Sequence, residues 1–167
     1  VDVILKMNLP EFALDRLAYV TSQLGPPAEA LPLAQRATVL LEELADEQPD
    51  DAGPRLRVGE SYRRLGDVRA AAGDPTGSAR EYRKAIAVLE EMARTEPGNA
   101  PYRSALGATW NNLGNTLATL GRPQEALGAF ESAIRHQKQA VAAAPGAPGL
   151  PDRSVARPPG HGPGAPH

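Results

Sequence analysis

Apolar residues recur along the chain at helical spacing. Leu106, Trp110, Leu113, Leu117 and Leu120 follow one another at intervals of four and three residues. That spacing places them on one face of a helix. Gly121 then supplies a residue free to take the left-handed conformation that commonly ends a helix. Pro123 sits at a first-turn position, where a missing N–H costs nothing. A second face follows in Ala126, Leu127, Phe130, Ala133, Ile134 and Val141, and Pro145 with Gly146 stops it. The stretch predicts a helical hairpin with a very short turn and antiparallel helices.

The same punctuation occurs 48 residues earlier. Leu65, Gly66, Ala70, Gly73 and Pro75 fall on Leu113, Gly114, Ala118, Gly121 and Pro123; Tyr82, Ala85 and Ile86 fall on Phe130, Ala133 and Ile134. A third, weaker copy keeps Leu14, Leu17, Ala18, Gly25, Pro27, Ala30, Ala37 and Pro49 at the corresponding places. Three units are therefore expected, near 10–49, 53–97 and 101–144, after a short lead-in over 1–9. Gly114, Gly66 and Ala18 share a mid-helix position, where Gly costs about 1 kcal/mol against Ala. Close approach of the partner helix is the expected return, through its own small residues Ala126 and Ala133. One hairpin cannot bury both faces of such helices, but stacked copies can. The expectation is an all-α solenoid of three antiparallel hairpins, six helices in a right-handed superhelix.

These residues resemble the tetratricopeptide repeat, whose pattern W-x-x-L-G-x-x-Y followed by A-x-x-x-F-x-x-A is met by Trp110, Leu113, Gly114, Leu117, Ala126, Phe130 and Ala133. In the middle unit Tyr62, Leu65, Gly66, Ser78, Tyr82 and Ala85 match, while Arg69 puts a charge in an apolar slot. A snorkelling side chain or a loosened unit would each account for it. The family's usual unit is about 34 residues, so a period of 48 lengthens both helices. Long units of this kind look like bacterial tandem arrays with P-x-x-Y-R-x-x-L openings and N-N-L-G cores, a style that "APYRSALGATWNNLG" fits.

Composition narrows the function. Aromatics are 4% of residues, so a core must be built mainly from Ala, Leu and Val. The net charge of −2 supplies no basic field for nucleic acid. There is no Cys, which excludes disulfides and thiolate metal sites. No apolar run reaches the length of a membrane span, and the opening "VDVILKMN" lacks the marks of a signal peptide. A cytoplasmic location is expected. The chain opens on Val1 and is read as a processed chain or an excerpt of a longer one. From Pro145 to His167, 12 of 23 residues are Pro or Gly, so a disordered tail is expected. Pro145, Pro148 and Pro151 have the spacing of a polyproline II ligand, although a plain Pro-rich terminus is the favoured reading.

No convergent catalytic site emerges, and an enzyme is not expected. His136, His161 and His167 have no ligand partners at i+4; His136 is read as solvent-facing, and no metal or other cofactor is expected. The acidic pairs Glu42-Glu43, Asp50-Asp51 and Glu90-Glu91 read as solvated faces, since adjacent helical residues do not face each other. The Arg-rich patches Arg55-Arg57-Arg63-Arg64-Arg69 and Arg80-Arg83-Lys84 are interleaved with acids and lack stacking aromatics, so surface pairing is expected.

The resemblance implies a protein interaction scaffold or adaptor whose concave face is lined by the first helix of each unit. By position that groove includes Asp15, Tyr19, Arg63, Asp67, Asn111 and Asn115. Asn111 and Asn115 stand at i and i+4, and their amides can each donate and accept hydrogen bonds to a peptide. The partner is expected to be a protein or peptide. An alternative is a docking or regulatory array of a larger enzyme, such as a bacterial serine/threonine kinase. This chain holds no Gly-rich loop, HRD or DFG motif, so such a domain would lie outside it. A third option is self-association through an uncapped repeat end.

Overall fold

The computed structural model describes residues 25–144. The expected first helix of the first unit, with Asp15 and Tyr19, lies outside the described residues, as does the Pro/Gly-rich tail with its PPII-like spacing. Five helices are described: α1 (Pro27–Glu47), α2 (Ala52–Ala71), α3 (Pro75–Thr95), α4 (Ala100–Thr119) and α5 (Pro123–Ala143). Each packs on its neighbours in the chain, and α2 also touches α4. The architecture is an all-α repeat solenoid, with no strand among the described residues.

Local chemistry sets the helix bounds. α1, α3 and α5 each open on a proline, whose fixed φ suits the first helical position. The Asp51 side chain caps α2 by accepting from Gly53 N–H at 2.8 Å, and Asp74 caps α3 by accepting from Gly77 N–H at 2.7 Å. The two hairpin turns are alike. Gly121 has φ 71° and Gly73 has φ 79°, a conformation that only glycine takes without cost. Gly121 N–H donates to Ala118 O, and Arg122 N–H to Leu117 O, both at 3.0 Å. Gly73 and Asp74 repeat this pair of bonds onto Ala70 and Arg69. Both ends are Schellman caps, so α2 with α3 and α4 with α5 fold back antiparallel through very short turns.

The main core lies where α3, α4 and α5 meet, around Leu89, Leu106, Leu113, Leu117, Tyr82 and Ala129. Trp110 and Phe130 are half-buried against it. A smaller core joins α1 to α2 through Ala30, Leu33, Leu65 and Val68. Leu65, Gly66, Ala85, Leu113, Gly114, Ala126 and Ala133 are all buried.

Three expectations change. Gly66 and Gly114 do not meet small residues of the partner helix. They lie against the rings of Tyr82 and Phe130: a Cβ at either glycine would stand 2.6 Å from the nearest ring carbon. Leu127, Ile134 and Val141 are not in the core, being 60%, 55% and 46% exposed. α5 buries the row Ala126, Ala129, Ala133, His136 and Ala140 against its neighbours, which turns those three outward. His136 is consequently buried instead of solvent-facing.

Candidate functional site: the cleft between α2 and α4

Asp67 ties three helices together. It stands on α2 between the ring of Tyr82 from α3 and the amide of Asn112 from α4. Tyr82 Oη donates to Asp67 Oδ1 at 2.6 Å, and Asn112 Nδ2 donates to the same oxygen at 3.0 Å. Arg63, one turn earlier on α2, donates from Nη1 to Oδ2 at 3.3 Å. The bond to Asn112 crosses from one hairpin to the next. Burial raises the pKa of the Tyr82 phenol, and its bond to the Asp67 carboxylate raises it further. The phenol therefore remains a donor at neutral pH.

Above this hub a cleft of about 570 Å³ opens between α2 and α4. Its floor is Tyr82 with Ala70, and its α4 wall carries Asn112, Asn115, Thr116 and Thr119. Asn115 is exposed, and its side-chain amide makes no hydrogen bond to another described residue, while its backbone carbonyl accepts from Thr119 Oγ1 at 3.0 Å. With its partners in place, the Asp67 carboxylate is held rigid by three donors. The cleft offers an apolar floor, a fixed carboxylate edge paired with Arg63, and an unengaged amide.

The residues proposed from sequence separate here. Asp67 and Asn115 line the α2–α4 cleft, while Arg63 is joined to it only through its bond to Asp67. Asn111 does not: it lines a second groove, of about 660 Å³, between α4 and α5. Two polar contributors went unforeseen from sequence. Asn112 reaches Asp67 only because α4 stacks beside α2, a relation that no local spacing reports. Tyr82 enters the sequence reading only as a match to the repeat pattern; its hydroxyl is the available signal, since a buried phenol needs a partner.

A second charged cluster lies on α3 and the last turn of α2. Glu81 on α3 is 2% exposed. Its carboxylate lies 3.4 Å from Arg69 Nε, 3.2 Å from Arg80 Nη2 and 3.1 Å from Lys84 Nζ. Arg69 also reaches Asp74 at 3.0 Å. The charge in the apolar slot is thus held between the buried Glu81 and the part-exposed Asp74. Lys84 sits 4.9 Å above the Tyr62 ring, and the Tyr62 hydroxyl donates to Glu42 of α1. The Gly77 N–H, followed by Arg69, holds the Asp74 carboxyl below the usual carboxylate range.

The described helices and this cleft define a helical-repeat protein. Residues 106–141, from the middle of α4 to the last turn of α5, match the family model described as Tetratricopeptide repeat. The chain therefore carries a tetratricopeptide repeat over its last hairpin, and such repeats are protein interaction modules. No curated protein matches the chain. No helix among the described residues is long and apolar enough to cross a membrane.

Proposed function

We propose that the α2–α4 cleft docks a short extended segment of a protein partner. The observation that carries this reading is the unengaged amide of Asn115 standing over an apolar floor beside the fixed Asp67 carboxylate. An amide pairs with a peptide backbone through one acceptor and two donors, while Ala70 and the Tyr82 ring receive a small apolar side chain. A Lys or Arg of the segment, or a free amino group, would compete with Arg63 for the Asp67 carboxylate.

Peptides selected by display against the whole chain test this. Asn115→Ala should weaken the selected peptides by about threefold to tenfold, the worth of one net hydrogen bond. Ala70→Arg, at an exposed cleft position, should abolish binding by filling the cleft. Unchanged dissociation constants in both variants would reject the cleft as the docking site.

A further inference from the structure

The outer face of α5 carries an apolar row at intervals of seven residues. Leu127, Ile134 and Val141 are the fifth, twelfth and nineteenth residues of the helix, counted from its opening proline. The same positions of α3 are Ala79, Ile86 and Ala93. Those three are 1%, 5% and 1% exposed. Ala79, Ile86 and Ala93 share the main core with Tyr102, Leu106 and Leu113 of α4, the helix that follows α3 and covers it. The molecule thus shows once what covers such a row: an amphipathic helix laid antiparallel along it. On α5 no described helix does so, and the groove between α4 and α5 beside the row stands open, with Ile134, Gln137 and Val141 on its edge.

We propose that α5 of a second copy of this chain covers the row, with the two helices antiparallel about a two-fold axis at Ile134. The spacing of the row is symmetric about that residue. Leu127 stands one heptad before it and Val141 one heptad after. An antiparallel copy therefore sets Ile134 against Ile134, and Leu127 against Val141 on both sides, which is the self-complementarity an isologous contact requires. The charges agree. Glu131 and Lys138 each follow a row residue by four positions, so they lie on the same flank. Both are exposed, and neither makes an ion pair with another described residue. The antiparallel arrangement brings Glu131 beside Lys138 of the second copy, twice by symmetry. A parallel two-fold arrangement would put this flank on opposite sides of the seam in the two copies and leave Glu131 and Lys138 without a charged partner, so charge favours the antiparallel orientation. The row shares no residue with the α2–α4 cleft, so the two surfaces stand or fall separately.

Sedimentation equilibrium of the whole chain over a concentration series tests the proposal. The mass should rise from monomer to dimer and stop there, because an isologous contact closes on itself. Glu131→Lys and Lys138→Glu should each weaken the dimer, and the double reversal should restore it. Ile134→Asp should remove the dimer while the far-ultraviolet circular dichroism of the monomer is retained. A monomer at every concentration would overturn the proposal, as would growth beyond a dimer. A double reversal no stronger than the single ones would also overturn it, and that arm holds even if Ile134→Asp fails to fold.

Discussion

Gly66 lies flat against the ring of Tyr82: a Cβ added at Gly66 would stand 2.6 Å from Cε1 and 2.8 Å from Cδ1. Gly114 meets Phe130 in the same way, at 2.6 and 2.8 Å. The two rings differ in their freedom to move. Tyr82 is 3% exposed and tethered through its hydroxyl to Asp67, whereas Phe130 is half-buried and has no tether. In a free helix Gly→Ala would gain about 1 kcal/mol. At Gly66 the overpacking outweighs that gain, and Gly66→Ala should lose about 1–3 kcal/mol by urea denaturation. Gly114→Ala should lose less, because Phe130 can swing aside. Equal costs, or a gain at Gly66, would contradict the tethered-ring contact.

The Asp67 hub makes a graded prediction. Tyr82→Phe removes one hydrogen bond and should cost about 0.5–1.5 kcal/mol. Asp67→Ala leaves both the Tyr82 hydroxyl and the Asn112 amide without their acceptor. It should cost more, about 1–3 kcal/mol. Equal losses from the two variants would mean that Asn112 takes no support from Asp67.

Glu81 is the only acidic group close to the inward-drawn Arg69 besides Asp74 among the described residues. Arg69 keeps its bond to Asp74 when Glu81 is removed, so Glu81→Ala should cost about 1–3 kcal/mol, less than stranding a lone buried charge. Replacing both ends with apolar groups of similar volume, Arg69→Met with Glu81→Leu, should recover much of that loss. The measurement is chemical denaturation of the single and double variants. Additive losses would show that Arg69 does not depend on Glu81.

His136 gives the fold a pH dependence. Burial, and then Arg135 and Arg103, depress its pKa below the usual imidazole value. The unfolded chain therefore takes up the proton at a higher pH than the native chain does. Stability contributed by neutral His136 is full above about 6.5, and it falls as pH drops through that value towards the depressed native pKa. His136→Leu should flatten this part of the stability profile. An identical slope in wild type and variant would assign the dependence to other groups.

Much of this architecture is written in local sequence. Gly121 with Pro123, and Gly73 with Pro75, specify the hairpin turns because a left-handed residue followed by a helix-opening proline has few alternatives. The Leu106 to Leu120 face is legible for the same reason, since spacing fixes which residues share a face. Spacing does not tell which face is covered. Leu127, Ile134 and Val141 therefore look like core residues in sequence and lie outside in the structure, while His136 lies inside. Asn111 and Asn115 share a helix face, yet they line different recesses, because α2 borders one and α5 the other. Asn112 gains its role only when two hairpins stack. Long-range neighbours decided each of these positions.

Amide chemical-shift mapping tests the central claim, peptide docking between α2 and α4. The labelled chain would be titrated with a display-selected peptide carrying a basic residue. Perturbations should concentrate at Ala70, Asn115 and Thr119, and should be lost in Ala70→Arg. Perturbations confined to the α4–α5 groove around Gly107 and Gln137, or unchanged by Ala70→Arg, would contradict the account.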